Sequence, residues 1–381
     1  MVRFLHTSDW QMGLRAVHAG TKSKEIRAKR FEAASHIVNL AKDMNLDFVI
    51  IAGDTFEHHD VDEVIVKRTV DILNRFAPIP VYVLPGNHDP LIPGGIWDRH
   101  SWSKVGSHVI LCKEVREIEI GGTAVLYPCP LVQKRSSLDP TSWIPRRFER
   151  DEHIRIGIAH GSLDIIPNTD TVNFPISKDR AELSELDYLA LGDWHSFFKQ
   201  GKAVYSGTPE PTNFGEQDAG DVILVEISKA GENPKLSRHR TRTLTWAEFT
   251  PMINDVTDVE TLERTVKGIG PLAFVALRIV PVLDTSVDDR TLQELKILQE
   301  ELEQEAFLIE WDADSYSQIL SGTSIRLPDG ILQNVNEALS AIIEGRILEG
   351  PAKAFMEEDR KIVQEAQALL QRLAREGTGW S

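Results

Sequence analysis

Five short polar clusters hold the side chains able to do chemistry, and each directly follows an apolar run. Asp9-Trp10-Gln11 follows residues 2–5, and Gly53-Asp54-Thr55-Phe56-Glu57 follows residues 48–52. Gly86-Asn87-His88-Asp89 follows residues 81–84, His160-Gly161 follows 154–159, and Gly192-Asp193-Trp194-His195 follows 188–191. The donors offered are Asp9, Gln11, Asp54, Asn87, His160, Asp193 and His195. Oxygens and imidazoles without a thiolate suit manganese, iron or zinc better than copper or an iron–sulfur cluster. Seven donors oversupply one ion but fit two ions that share a bridging carboxylate. Such a pair can hold a phosphate, lower the pKa of a water between them and stabilise a leaving oxygen. Alone, Asp9-x-Gln11 reads as a turn or helix cap and His160 as a satisfied buried histidine. The five clusters in order, each at the end of an apolar run, are what turns alone do not explain.

The apolar runs alternate with stretches of helical spacing, which predicts α/β layers in the first part of the chain. Ile26, Ala33, Ile37, Leu40 and Ala41 predict a helix over 25–44; Val64, Ile65, Thr69, Ile72 and Leu73 predict another over 62–76. Residues 109–127 read as a hairpin around Gly121-Gly122, and 203–207 and 222–227 as further strands. Strand ends on one edge of such a sheet converge, which would gather the clusters into one site. Near residue 245 the pattern changes to helix, strand, helix, strand. Thr257 to Glu260 reads as a capping box, and residues 273–280 and 306–311 as strands. Residues 325–381 read as helices, clearest over 352–375 after the Gly350-Pro351 break.

Composition sets the limits. The chain has 381 residues, 41% hydrophobic and 26% charged, which excludes wholesale disorder and predicts two or three domains. No stretch approaches the ~18 uninterrupted apolar residues of a spanning helix. Two cysteines, Cys112 and Cys129, are too few for a disulfide scaffold. A reduced, soluble, cytoplasmic protein is expected. The net charge is −16, and most of the excess acid lies after residue 250. All twelve histidines lie at or before His239, so the chemistry is expected in the first part.

In order and spacing these motifs resemble the calcineurin-like metallophosphoesterase superfamily, and more narrowly its SbcD-type DNA double-strand-break repair exonucleases. The resemblance is carried by Phe-Leu-His-Thr-Ser-Asp-Trp at the start, Gly-Asp-Thr-Phe at 53–56 and Pro-Gly-Asn-His-Asp at 85–89. It continues in Ala-His-Gly-Ser at 159–162, Asp-Tyr-Leu-Ala-Leu-Gly at 187–192 and Tyr-Ser-Gly-Thr-Pro-Glu at 205–210. It implies an α/β/β/α sandwich with a small α/β capping domain and a helical C-terminal tail. The domains would be a nuclease domain over 1–240, a cap over 245–320 and a tail over 325–381. It implies two divalent ions, Mn2+ first, with Mg2+, Fe2+ or Zn2+ as alternatives. Asp9, Gln11, Asp54 and His195 would hold one ion; Asp54, Asn87, His160 and Asp193 would hold the other. His88 would be a catalytic residue that protonates the leaving oxygen or stabilises phosphate charge, and Asp89 would orient it.

Three positions depart from that pattern. Gln11 and Asp193 stand where the family usually has histidine, and Glu57 where nuclease relatives often carry one. A neutral amide is a weaker ligand, and an added carboxylate favours manganese or magnesium over zinc. Lys22, Lys24, Arg27, Lys29 and Arg30 form the densest basic cluster, read either as a DNA-backbone contact or as a solvated helix face. Arg146, Arg147 and Arg150 beside Trp143 and Phe148 form a second candidate, while Lys235, Arg238, Arg240 and Arg242 fall on a connector. Phe355, Ile362, Ala366, Leu369 and Leu373 make a near-heptad seam, which the resemblance assigns to docking on an SbcC-type coiled-coil ATPase. Homodimerisation is left open. The function expected is DNA exo- or endonuclease activity in repair. The alternatives are a phosphoesterase for small phosphate esters or nucleotides, and a catalytically weak DNA-binding scaffold.

Overall fold

The computed structural model describes residues 1–165, 173–283 and 287–312, with Val335, Ala338 and Leu339. The expected tail helix and its seam lie outside these residues. The chain divides into Met1–Trp246 and Ala247–Ser381.

The first unit is built on strands β1 (Val2–Thr7), β2 (Phe48–Ala52), β3 (Val81–Leu84), β4 (Val109–Leu111), β5 (Ile118–Ile120) and β6 (Ala124–Pro128). They are followed by β7 (Ile154–His160), β8 (Tyr188–Gly192), β9 (Phe198–Gln200), β10 (Ala203–Tyr205), β11 (Asp221–Ile227) and β12 (Lys235–Arg240). One sheet runs β12-β11-β1-β2-β3-β4 and the other β5-β6-β7-β8-β10-β9. In each sheet four neighbouring strands are parallel: β1 to β4 in the first, and β6, β7, β8 and β10 in the second.

The apolar runs are unbroken because both faces of each sheet are covered. Strand alternation sends Phe4, Phe48, Ile50 and Ala52 toward the second sheet, where they meet Ile156, Ile158, Tyr188 and Ala190. Leu5, Val49 and Ile51 point the other way, onto helices α1 (Ser23–Asp43) and α2 (Glu63–Asn74). These helices bury Phe31, Ala34, Ile37 and Val38, and Val66, Val70 and Leu73, at the three-to-four-residue spacing that makes one face. Each fully buried valine, leucine, isoleucine or phenylalanine contributes about 1.5–3 kcal/mol. The outer face of the second sheet is covered by loop residues such as Ile144, Leu163 and Ile176, with the single-turn helix α3 (Arg180–Leu183). The layering is that of a mixed α/β sandwich with two facing sheets.

Two expectations change here. Residues 109–127 are not one hairpin: β4 continues the first sheet beside β3, and only β5 and β6 pair antiparallel around Gly121-Gly122. The basic connector at 235–240 is strand β12, which pairs with β11 at the sheet edge. Its charged residues hide a strand from pattern reading because an edge strand needs no apolar alternation; Arg238 meets Asp218 and Asp221 at 2.7 and 2.6 Å.

The second unit contains the sheet formed by β13 (Thr245–Phe249), β15 (Val275–Ile279) and β17 (Leu308–Trp311), the parallel pair β14 (Met252–Ile253) and β16 (Val282–Leu283), and helices α4 (Val256–Lys267) and α5 (Asp289–Glu305). Val259, Leu262 and Val266 of α4, and Leu295, Leu298 and Leu302 of α5, share a core with Leu277 and Ile279. The cap of α4 lies two residues before the expected box: the Asp255 carboxylate accepts from Thr257 N. No described helix is long and apolar enough to cross a membrane.

Candidate metal centre

Parallel register brings the five clusters to one sheet edge. Thr7 pairs with Ile51, Ala52 with Leu84, and His160 with Gly192, so the strands end level. Beyond β1 and β2 the loops stay tied: Asp9 N donates to Gly53 O at 3.1 Å and Gln11 N to Asp54 O at 2.9 Å. Asp9, Gln11, Asp54 and Asp193 all take positive φ, at 53°, 43°, 50° and 104°. Such conformations cost side-chain-bearing residues about 1–3 kcal/mol each and gather at functional sites. Gly53 and Gly86 are required for a different reason. A Cβ on Gly53 would lie 2.1 Å from His160 Nδ1, and one on Gly86 2.1 Å from Asp54 Oδ1.

Asp9, Asp54 and His160 offer ligand atoms all within 4.8 Å of one another, and all three residues are buried. His160 Nδ1 lies 3.0 Å from Ala52 O. A carbonyl only accepts, so Nδ1 carries the hydrogen and Nε2 is the nitrogen turned into the site. Nε2 there faces Asn87 Oδ1 at 2.8 Å, Asp54 Oδ2 at 3.3 Å and Asp193 Oδ1 at 3.9 Å. A bare nitrogen among three oxygens is repulsive; a proton or a metal ion between them makes it favourable. On the other side His195 Nε2 lies 3.0 Å from Gln11 Nε2, and its Nδ1 lies 2.7 Å from Glu216 Oε1.

The electrostatics agree with that demand for cations. Burial raises the Asp9 carboxyl above its usual range; the charges of His160 and His195 oppose it, and Asp54 reinforces it. Burial raises Asp193 as well, again opposed by His160. Burial would also raise Asp54, but charge and hydrogen bonding from His160, with help from His88, hold it below its ordinary value. Burial would lower His160, yet Asp54, Asp9 and Asp193 lift it well above the usual imidazole range. His195 would be lowered by burial but rises to about 9 through its hydrogen bond to Glu216 and the charge of Asp9, while Glu216, despite burial, falls to about 2. Crowded carboxylates that cannot all ionise comfortably, with imidazoles drawn toward protonation, fit divalent ions.

His88 sits at the rim. Its backbone N donates to Asp54 Oδ1 at 2.9 Å, and its Nε2 lies 4.0 Å from Asp54 Oδ2. Its Nδ1 lies 2.8 Å from Glu57 O. Asp89 was expected to orient this ring. Instead its buried carboxylate accepts from Phe56 N at 2.9 Å and Gly86 N at 2.7 Å, fixing two loop backbones, and burial pushes it up to about 7. The contact that orients His88 comes from Glu57, whose carbonyl lies 2.8 Å and whose carboxylate Oε1 lies 3.8 Å from its Nδ1.

The basic cluster also needs correcting. Arg30 is buried, only 2% exposed, so it is not a surface contact for DNA. It donates to the carbonyls of Asp9 and Trp10 at 3.3 and 2.9 Å, and to Thr212 Oγ1 at 3.1 Å, bracing the first ligand loop from behind. Lys22 pairs with Glu25 at 3.1 Å and Lys29 with Glu32 at 2.8 Å; Lys24 and Arg27 are exposed. In the second candidate patch Arg146 pairs with Glu185 and Arg147 with buried Asp187, both at 2.7 Å. The residues missed by sequence reading are Glu216, 21 positions beyond His195, and Ser8, whose hydroxyl donates to Asp9 Oδ2 at 2.5 Å. Ser8 stood beside Asp9 in the opening motif; Glu216 had no local signal.

With this geometry in place, comparison with known proteins defines the class. The calcineurin-like phosphoesterase family matches residues 2–225, and the chain belongs to it. It is a metallophosphoesterase with a candidate site for divalent ions. Among its relatives, the DNA double-strand break repair protein Mre11 of Methanosarcina acetivorans is 24% identical over 276 residues, covering 66% of this chain and 41% of that protein. The chain thus spans about two-fifths of that relative's length. The uncharacterised metallophosphoesterase YhaO of Bacillus subtilis is 24% identical over 382 residues, covering 91% of this chain and 90% of its own. Among solved structures, TT1561 of Thermus thermophilus aligns at a TM-score of 0.39 and 14% identity, over 63% of this chain and 99% of that one.

Proposed function

We propose that the chain is a two-metal phosphodiesterase that acts on DNA as an exo- or endonuclease in repair. The observation that carries it is the convergence of Asp9, Asp54 and His160, whose ligand atoms lie within 4.8 Å of one another, with Asp54 Oδ2 3.3 Å from His160 Nε2. The resemblance in the motifs and the relatives named as break-repair proteins support DNA as the substrate. In this reading Asp9, Gln11, Asp54 and His195 hold one ion, Asp54, Asn87, His160 and Asp193 hold the other, and manganese is the preferred metal. When bound, the pair supplies Lewis-acid binding of the phosphate and a nucleophile at neutral pH.

The chain's own residues set the rest. The Ala52 carbonyl and Glu216 fix which nitrogen His160 and His195 present. His88, held through Nδ1, presents Nε2 to the site and donates from it only when doubly protonated. Such a ring passes its Nε2 proton to the leaving oxygen. Lys24 and Arg27 are the members of the basic cluster that would meet backbone phosphates. The proposal extends to the seam of Phe355, Ile362, Ala366, Leu369 and Leu373 as the docking element for an SbcC-type ATPase.

A second reading, a phosphoesterase for small phosphate esters, is favoured by one observation: much of the basic cluster is turned inward or paired with acids. One assay separates them. Linear duplex and single-stranded DNA are incubated with Mn2+, Zn2+ or Mg2+ beside a nitrophenyl phosphodiester. The nuclease reading predicts DNA degradation with manganese. Hydrolysis of the chromogenic ester with DNA left intact would reject it in favour of the second reading.

A further inference from the structure

We propose that Glu216 is a positioning residue of the first metal site: it holds His195 with Nε2 turned into the site and ties that imidazole to the loop bearing Asp9 and Gln11. The proposal rests on the two-metal reading and deepens it. The Glu216 side chain is 7% exposed, and each of its oxygens is used. Oε1 lies 2.7 Å from His195 Nδ1. A carboxylate accepts, so Nδ1 donates and Nε2 is left facing Gln11. Oε2 accepts from Thr212 N at 2.5 Å and lies 3.5 Å from Thr212 Oγ1. That hydroxyl accepts from Arg30 Nη2 at 3.1 Å, and Arg30 Nη1 donates to the Asp9 and Trp10 carbonyls. A continuous buried chain of hydrogen bonds therefore runs from the ligand His195 to the ligand loop at 9–11, through residues that are not ligands.

The chemistry calls for a carboxylate at 216. Two donors, His195 Nδ1–H and Thr212 N–H, approach its two oxygens. An amide has one acceptor oxygen, and its NH2 would oppose one of those donors. A carboxylate behind an imidazole also makes it a stronger ligand, and losing such a partner typically costs 10–100-fold in metal affinity. The reinforcement matters most on this side of the centre, where the imidazole stands past the end of β8 with its side chain 30% exposed.

The test uses the full chain as wild type, Glu216→Gln and Glu216→Asp, with Mn2+ titrated and the free ion followed by EPR. The wild type should take two ions. Glu216→Gln should weaken the first site by about 10- to 100-fold and leave the other unchanged. Glu216→Asp, which keeps the charge but shortens the reach, should fall between. In parallel, histidine-ring NMR of the chelated protein should show a slowly exchanging His195 Nδ1–H that Glu216→Gln loses. Wild-type manganese affinity in both variants, with that Nδ1–H retained, would overturn the assignment. If the wild type binds fewer than two ions, the two-metal reading fails. The ring signal then decides Glu216 by itself, its loss upholding the positioning role and its persistence rejecting it. If Glu216→Gln does not fold, the same two readouts on Glu216→Asp decide in the same way.

Discussion

The two sides of the centre are built differently. His160 ends strand β7, is fully buried, and takes its orientation from the Ala52 carbonyl at the end of the facing strand β2. Three oxygens, from Asn87, Asp54 and Asp193, already surround its Nε2. His195 stands past the end of β8, its side chain 30% exposed, beside a neutral amide, and it is braced by Glu216 from another loop. A ligand at a strand end inherits its position from the sheet. A ligand on a loop needs a brace of its own, and here that brace is a carboxylate chained to Arg30. The proposed donor sets match in type, two carboxylates, an amide and an imidazole on each side, so the sides differ in how the imidazole is held and how far it is exposed.

Substitutions can break or sharpen this contrast. The largest effect should come from Asp54→Ala, which removes the group common to both sides. Manganese-dependent phosphodiester hydrolysis should fall to background; full activity in this variant would refute the shared-carboxylate arrangement. Next is His88→Ala, which belongs to neither side. Both ions should stay bound while turnover falls ~10²–10⁴-fold. The loss should be smaller on a nitrophenyl ester, whose leaving oxygen needs less protonation. Equal losses on the two substrates would leave His88 as a phosphate stabiliser, and loss of metal would make it a ligand.

Arg30→Met should separate the sides through stability. Removing the guanidinium takes the Arg30 donor from the Trp10 carbonyl and Thr212 Oγ1, at about 1–3 kcal/mol for a group left unsatisfied, while the Asp9 carbonyl keeps the Thr208 hydroxyl at 2.9 Å. Thermal unfolding should show that loss, and manganese titration should show the first site weakened more than the second. Equal weakening would mean that Arg30 braces the whole edge. The smallest effect is expected from Gln11→His, which replaces the amide beside His195 by a second imidazole. First-site affinity should rise about tenfold, worth about 1.4 kcal/mol. No change on titration would show that the amide does not limit binding.

What the sequence disclosed follows the same contrast. The strand-borne clusters were legible because an apolar run covered on both faces ends abruptly in polar donors, as at Ala159-His160 and Leu84-Pro85-Gly86-Asn87. Helices α1 and α2 were legible from spacing, to within a residue or two at their ends. Loop-mediated contacts were not. Asp89 stands next to His88, which suggests a pair, yet its carboxylate turns to backbone N–H groups. Arg30 belongs to a run of basic residues on α1, but it lies on the buried face with Ile26 and Phe31. Glu216 is distant from His195 in sequence and meets it only through tertiary structure. Strand β12 was hidden because an exposed edge imposes no apolar pattern.

The claim that joins these observations is that two metal sites of unequal strength share Asp54. It is tested most directly by titrating chelator-treated wild-type protein with Mn2+ and counting bound ions by EPR. The account predicts two ions per chain, taken up in separate steps, with the later step selectively strengthened by Gln11→His and both steps abolished by Asp54→Ala. One ion per chain, or two ions whose binding survives Asp54→Ala, would contradict it.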